Sequence, residues 1–236
     1  MIEPHDYDVM ASETVYIGRV ISVRKDRVAM PGGTASQRDV VVHPGAVGVL
    51  AHYVAVVILA ELLLIALIYA GAAATIGLSR FARAALPAQV VAVSTQSSIA
   101  TLPAMVEAAT GALGVPEPAA RLVLPLAVSV FRITSPLANL AVVIYVATLH
   151  GVALPPLTLA AGVVVAFAVS IAAVGLPGQV SFITSIAPVA VAMGVPIATL
   201  PLLIAVEMLP DIFRTLGNVT ADLAVTRLLA RPDAGG

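Results

Sequence analysis

The chain has 236 residues, of which 60% are hydrophobic and 11% charged, against about 45–50% and about 25% in soluble domains. Too little polar surface remains to cover a water-soluble globule, so the composition excludes one and points to the bilayer as solvent. A net charge of -1 supplies no basic field for nucleic acid, and the lack of Cys excludes disulfides, thiolate metal sites and a Cys nucleophile.

Charge is concentrated at the start. Glu3, Asp6, Asp8, Glu13, Arg19, Arg24, Lys25, Asp26, Arg27, Arg38 and Asp39 all precede residue 52. The shift divides the chain into a polar, β-rich segment at 1–48, a transmembrane part at 49–230 and a tail at 231–236. The opening lacks the basic-then-apolar order of a cleavable leader. It reads as short polar strands, with loose alternation over 13–27, a turn at Met30-Pro31-Gly32-Gly33 and another strand over 37–42.

The rest reads as an all-α membrane protein. Residues 49–78 form an apolar run interrupted only by His52 and Glu61, long enough to cross the hydrocarbon. Residues 122–149 form a second span, broken at 131–136 (FRITSP), and 197–229 a third, with Glu207, Asp211, Arg214, Asn218 and Asp222 in its second half. Between them, 81–113 carries a polar knot (STQSS, 94–98) and 157–194 carries GLPGQ at 175–179. The arms on either side of each knot are too short for a comfortable crossing. A knot left in lipid would strand backbone groups at several kcal/mol each. Two re-entrant helical hairpins with protein-buried tips remove both difficulties, and paired interrupted segments point to a transporter's midplane site.

That arrangement places Arg80, Arg83, Arg121, Arg227 and Arg231 on the cytoplasmic side and leaves the outside loops at 150–156 and 195–198 without charge, as the positive-inside rule asks. It describes a multi-pass protein of the cell's inner membrane. The same arrangement puts Arg19, Arg24, Lys25, Arg27 and Arg38 outside, which suggests that the opening segment has a separate origin.

Asp211, Arg214, Asn218 and Asp222 follow at intervals of three, four and four, so they share one helix face. Ionisable groups at membrane depth must pair or line water. Asp211 and Arg214 partly neutralise each other, and the stripe suits an anionic group on Arg214 with carboxylates to spare for a cation or an ammonium group. Helix N-termini after Ser97-Ser98 and after Pro177-Gly178 present free N–H groups that favour carboxylates; Ser97-Ser98 also reads as a helix cap. Arg132, in the broken span, has three readings: contact with an anionic substrate, stand-in for a cation, or partner to an acid of the last span. Gln89 and Asn139 read as helix-to-helix hydrogen bonds, Glu107 as interfacial, and Glu207 as interfacial or paired.

Residues 94–103 (STQSSIATLP), 175–179 (GLPGQ) and 211–222 (DIFRTLGNVTAD), in that order and spacing, resemble the C-terminal half of the dicarboxylate/amino acid:cation symporters, the glutamate-transporter fold. The resemblance covers about residues 50–230 and implies an elevator-type carrier of dicarboxylates or acidic amino acids, usually a homotrimer. It implies that Asp211 holds a substrate amino group, Arg214 its side-chain carboxylate, and Asn218 a hydrogen bond and a cation-site carbonyl. Asp222 becomes a sodium ligand, Ser97 and Ser98 contact the substrate carboxylate, and Gly175, Pro177 and Gly178 belong to the tip of the extracellular gate. The chain departs from the family at 131–135, where FRITS replaces N-M-D-G-T, so the coupling ion stays open between sodium and a proton. The resemblance also implies a shortened chain that begins at the family's sixth span. Residues 13–48 (ETVYIGRVISVRKDRVAMPGGTASQRDVVVHPGAVG) resemble the opening strands of ADP-ribose-type Nudix hydrolases. The acidic Nudix box is absent from the sequence, so no hydrolase activity is expected, and a hydrolase remnant fused to an idle membrane fragment is the alternative reading.

Overall fold

The computed structural model describes residues 8–17, 22–30, 32–42, 46–172 and 178–230. Strands β1 (Val9–Ile17), β2 (Ser22–Ala29) and β3 (Ala35–Val42) form an antiparallel meander in that order. The stretch 13–27 divides between the end of β1 and most of β2. Gly32 and Gly33 take φ of +97° and +80°, a region in which a side chain is strained, and the Gly33 N–H donates to the Met30 carbonyl to close the turn. β2 alternates, with Asp26 and Val28 buried and Lys25 and Arg27 exposed. The register sets Ser12 of β1 and Arg38 of β3 opposite Asp26. Asp26 accepts the Ser12 hydroxyl at 2.7 Å and lies 3.1 Å from Arg24 Nε and 3.7 Å from Arg38 Nη2. The Ser12 hydrogen bond, then the two guanidinium groups, hold its carboxyl below the ordinary value despite desolvation. Two of the cations that the loop count leaves on the wrong side of the membrane are thus committed to an acid within their own sheet.

Helix α1 (Ala46–Thr75) is apolar on all sides, yet only one row of it is covered: Tyr53, Val57, Glu61 and Ile65 at intervals of four are buried, while Leu59, Leu62, Leu63 and Leu67 are exposed. Helices α2 (Leu78–Thr95) and α3 (Ser98–Thr110) pack on each other and are joined through Gln96 and Ser97; Gln96 takes the left-handed conformation, with φ of +52°. α4 (Glu117–Val130) and α5 (Thr134–His150) are separated by the break at 131–133. α6 (Pro156–Ala172) and α7 (Gly178–Ala192) form the second packed pair. α1 and the stretch from α4 through α5 are long and apolar enough to cross a membrane.

The third span is not continuous. A 3-10 turn at Ile197–Thr199 leads into α8 (Leu200–Ile204), and α9 (Met208–Leu229) starts afresh. Pro201 and Pro210 have no N–H to give, which favours helix starts at both points. Between them the N–H groups of Ala205, Val206 and Glu207 reach only three residues back, at 3.3, 3.1 and 3.2 Å. This break puts Glu207 in a turn and Asp211 in the first turn of α9.

Two cores result. One joins α2, α3 and α4 to the far end of α1 and the second half of α9, and is rich in alanine: Ala84, Ala85, Ala88, Ala92, Ala108 and Ala109. The other joins α5, α6, α7 and α8 to the start of α1 through larger side chains such as Tyr53, Phe182, Ile186 and Val189. α3 and α7 end alike. Leu113-Gly114-Val115-Pro116 and Met193-Gly194-Val195-Pro196 put Gly at φ of +66° and +67°, with the next Val buried and its N–H returned to Ala109 (2.9 Å) or Ala190 (2.8 Å). This repeat relates the two halves of the helical part.

Candidate functional site

α9 is buried on nearly every side over 214–226, so its polar residues must be met from within the protein. Arg214 is buried. Its Nη2 lies 2.8 Å from Glu207 Oε1 in the turn before the helix, and its Nη1 lies 3.5 Å from Asp211 Oδ1. The carboxylate of Glu207 also accepts the Tyr53 hydroxyl from α1. Glu207 is therefore buried and paired, not interfacial. Asp211 and Arg214 neutralise each other in part, as their spacing suggests, but the shorter contact belongs to Glu207.

One turn on, α9 clasps the broken span. Asn218 Oδ1 accepts the Thr134 N–H at 3.2 Å, and Thr134 Oγ1 donates to the Arg214 carbonyl at 2.9 Å. Asn218 thus satisfies an otherwise free N–H at the start of α5. The approach is close enough to require Gly217, since a Cβ there would lie 2.5 Å from Thr134 Cγ2 and 3.3 Å from Ile65 of α1.

Asp222 is buried, and neither of its carboxylate oxygens has a hydrogen-bond partner among the described residues. Arg132, just before α5, exerts its charge on both Asp211 and Asp222. Of its three readings, this arrangement brings the pairing with the acids of α9 within reach. Among the described residues no three Asp, Glu or His side chains gather as a metal cluster. A cation at Asp222 would therefore draw on carbonyl and amide oxygens for its other ligands.

Ser97 caps α3, accepting the Ala100 N–H at 3.2 Å, and Ser98 is the first residue of that helix. The α3 N-terminus stands where the sequence puts it, and α3 packs on α9. Gln89 of α2 ties the same pair to its neighbours, with Nε2 2.8 Å from both Thr220 Oγ1 of α9 and the Tyr69 hydroxyl of α1. Asn139 is buried, but its Nδ2 has no hydrogen-bond partner among the described residues. Gly175, Pro177, Arg231 and the tail lie outside the described residues; Gly178 opens α7.

Sequence reasoning passed over three contributors. Tyr53 and Glu61 sit on the buried row of α1, and in a helix apolar on all sides the lone acid was the available signal. Glu61 is 0% exposed, neither of its oxygens has a hydrogen-bond partner among the described residues, and the charges of Arg214, Glu207 and Asp211 bear on it. Thr134 carries no sequence signal beyond its place in the break.

The family described as the sodium:dicarboxylate symporter family matches residues 36–231. The chain is also similar to two ADP-ribose pyrophosphatases. That of Mycobacterium tuberculosis is 45% identical over 47 residues, 20% of this chain and 23% of the relative. That of Bacillus subtilis is 48% identical over 42 residues, 18% of this chain and 23% of the relative. The chain thus spans under a quarter of the length of these curated relatives.

Proposed function

The chain belongs to the sodium:dicarboxylate symporter family, and from that premise we propose that it is a secondary carrier of anionic substrates, dicarboxylates or acidic amino acids, working by elevator-type alternating access. The observation that carries this reading is the unequal grip on Arg214. Glu207, anchored by Tyr53, stands 2.8 Å from Nη2 as an ion pair without hydrogen-bond alignment, whereas Asp211 accepts from Nη1 only at 3.5 Å and stays partly exposed. One edge of the guanidinium faces a buried, anchored carboxylate and the other a partly exposed carboxylate open to exchange. A substrate carboxylate takes the Nη1 edge with the planar geometry that suits a guanidinium. Asp211, released, receives the ammonium group of an amino acid or stays solvated beside a dicarboxylate.

The remaining parts follow the same logic. The free N–H groups at the start of α3, with Ser97 and Ser98, favour the substrate's second carboxylate. α2–α3 and α6–α7 act as re-entrant hairpins, with Gly175, Pro177 and Gly178 at the tip that opens to the outside. Asp222, with Asn218 beside it, is the candidate cation ligand. Sodium is the ion in the family's description, and Arg132 competes for the same carboxylate, so the coupling ion is sodium or a proton. A homotrimer in the bilayer is the expected assembly.

Uptake of labelled succinate and aspartate into proteoliposomes tests this reading, under a sodium gradient and, separately, a pH gradient. Accumulation that Arg214→Ala and Arg214→Lys both abolish is expected. Equal uptake by Arg214→Ala, or none by the unaltered chain under either gradient, overturns it. The pyrophosphatase similarity supports one other reading, a hydrolase remnant on a membrane fragment, which predicts that neither substrate is accumulated.

A further inference from the structure

We propose that Glu61 is a proton-binding site, and that the proton it holds enters with the substrate. Glu61 occupies the one covered row of α1, between Val57 and Ile65, and is fully buried. Both of its oxygens lack a hydrogen-bond partner among the described residues. The groups that face it are known. From α9 and the turn before it come Arg214, Asp211 and Glu207. From its own helix, Tyr53 gives its hydroxyl to Glu207. α5 turns Tyr145 against Tyr53, and α2 turns Gln89 to Tyr69; neither bears on Glu61.

Charge counting then decides the state of the carboxyl. Arg214 brings one positive charge, and Glu207 and Asp211 already meet it with two negative ones; Arg132 acts on Asp211 as well, but its single charge is shared with the further carboxylate of Asp222. A third carboxylate at Glu61 would leave two uncompensated charges at membrane depth with no hydrogen bond to stabilise the newcomer, which is the costliest arrangement available. One proton taken from water on to Glu61 turns the carboxylate into a neutral acid and removes that charge; no other bond changes.

The same count ties the proton to transport. A substrate carboxylate on the Nη1 edge of Arg214 adds a negative charge to the pocket and frees Asp211 from its pairing. Both effects tighten the hold of Glu61 on its proton, and by linkage a protonated Glu61 raises substrate affinity. This coupling rests on the carrier reading above; the proton site itself does not.

Two measurements on the purified full chain separate the two claims. Infrared difference spectra across pH read the carboxylic-acid C=O band directly and need no substrate. A band present at neutral pH in the unaltered chain and lost in Glu61→Gln is expected; a chain in which no such band appears until the ordinary carboxylate range, about 4.3, overturns the site. Calorimetry of succinate binding in buffers of different ionisation enthalpy, from mildly acid to alkaline, counts protons. Uptake approaching about one proton per succinate, absent in Glu61→Gln, is expected, and uptake unchanged by the substitution overturns the coupling. If neither succinate nor aspartate binds, the carrier reading fails while the infrared band still decides the site. Should Glu61→Gln fold poorly, Glu61→Leu supplies the same comparison, and the pH course of the unaltered chain stands without a variant.

Discussion

The α2–α3 and α6–α7 pairs finish on the same Gly-Val-Pro turn, yet they are held to the rest of the molecule by different means. The first packs alanine against alanine, which brings backbones close; Gln89 ties it to Thr220 of α9 and Tyr69 of α1, while the bond from Arg80 Nε to the Ala112 carbonyl at 3.2 Å and the Ser97 cap stiffen the pair itself. The second buries Phe182, Ile186, Val189 and Met193 against α5 and α8, and residues 156–194 contain no charged side chain. Apolar surface can part from a neighbour and meet lipid at little cost, whereas a buried hydrogen bond cannot part without stranding its groups. On the carrier reading proposed above, this difference would make the first pair the stationary wall of the site and the second the movable one.

The largest test of that contrast lies in α9, on the polar side. Arg214→Ala leaves the buried Glu207 and the partly exposed Asp211 without their cation and is expected to destabilise the fold by about 3–5 kcal/mol. Thermal unfolding in detergent measures it. Adding Glu207→Gln should return a large part of the loss, because the damage is the stranded charge; a double variant as unstable as the single one refutes the pairing.

Next in size is a matched pair of glycines. At Gly217 a Cβ meets Thr134 Cγ2 at 2.5 Å, where two helix backbones are tied by hydrogen bonds on either side. At Gly162 it meets Met193 Sδ, the middle of an unbranched and adaptable side chain. Gly217→Ala is expected to cost about 1–3 kcal/mol, in the range of overpacked cores, and Gly162→Ala less, since Met193 can swing aside. Equal losses would remove the distinction between a hydrogen-bonded contact and a yielding one. Gln89→Leu is smaller again, about 0.6–1 kcal/mol, because Thr220 keeps its bond to the Leu216 carbonyl at 2.7 Å; the same unfolding assay reads it.

The sequence was most legible where chemistry forces spacing. The acid–base row of α9, the Ser97 cap, the Gly32-Gly33 turn and a break in the second span each have a local cause that needs no partner to be seen, although the break expected over 131–136 closes at 133, with Thr134, Ser135 and Pro136 in the first turn of α5. What stayed hidden depends on which side of a uniformly apolar helix is covered. α1 looks the same all round, so nothing in its composition says that Glu61 faces Arg214 rather than an interface. The interruption of the third span was equally obscure, because Pro201 and Pro210 both fall at positions where a helix tolerates proline, and only the three-residue hydrogen bonds of Ala205, Val206 and Glu207 between them show that two helices meet there. The repeat at Gly114 and Gly194 was readable as text, but it gains meaning only when both glycines take the left-handed conformation.

The smallest effect falls in the sheet, where the polar-pinning rule acts in water rather than lipid. Asp26 has its carboxyl held below the ordinary value of 3.8, chiefly by the Ser12 hydroxyl and then by Arg24 and Arg38. A carboxyl whose folded value is depressed contributes stability that is present above its unfolded value and lost as pH falls through the folded one. Amide exchange of β2 in the intact chain should therefore quicken below about pH 4 beyond its normal pH trend, while the amides of α9 do not follow. Ser12→Ala should weaken that quickening and end it at a higher pH, since it removes the leading cause of the depression, and Asp26→Asn should abolish it. High salt should blunt the part due to the arginines, which are half-exposed, and leave the Ser12 part in place. A quickening that ignores Ser12→Ala but vanishes in salt would make the sheet's centre an ordinary surface ion pair, and the rule of hydrogen-bonded pinning would then apply to the helical part alone.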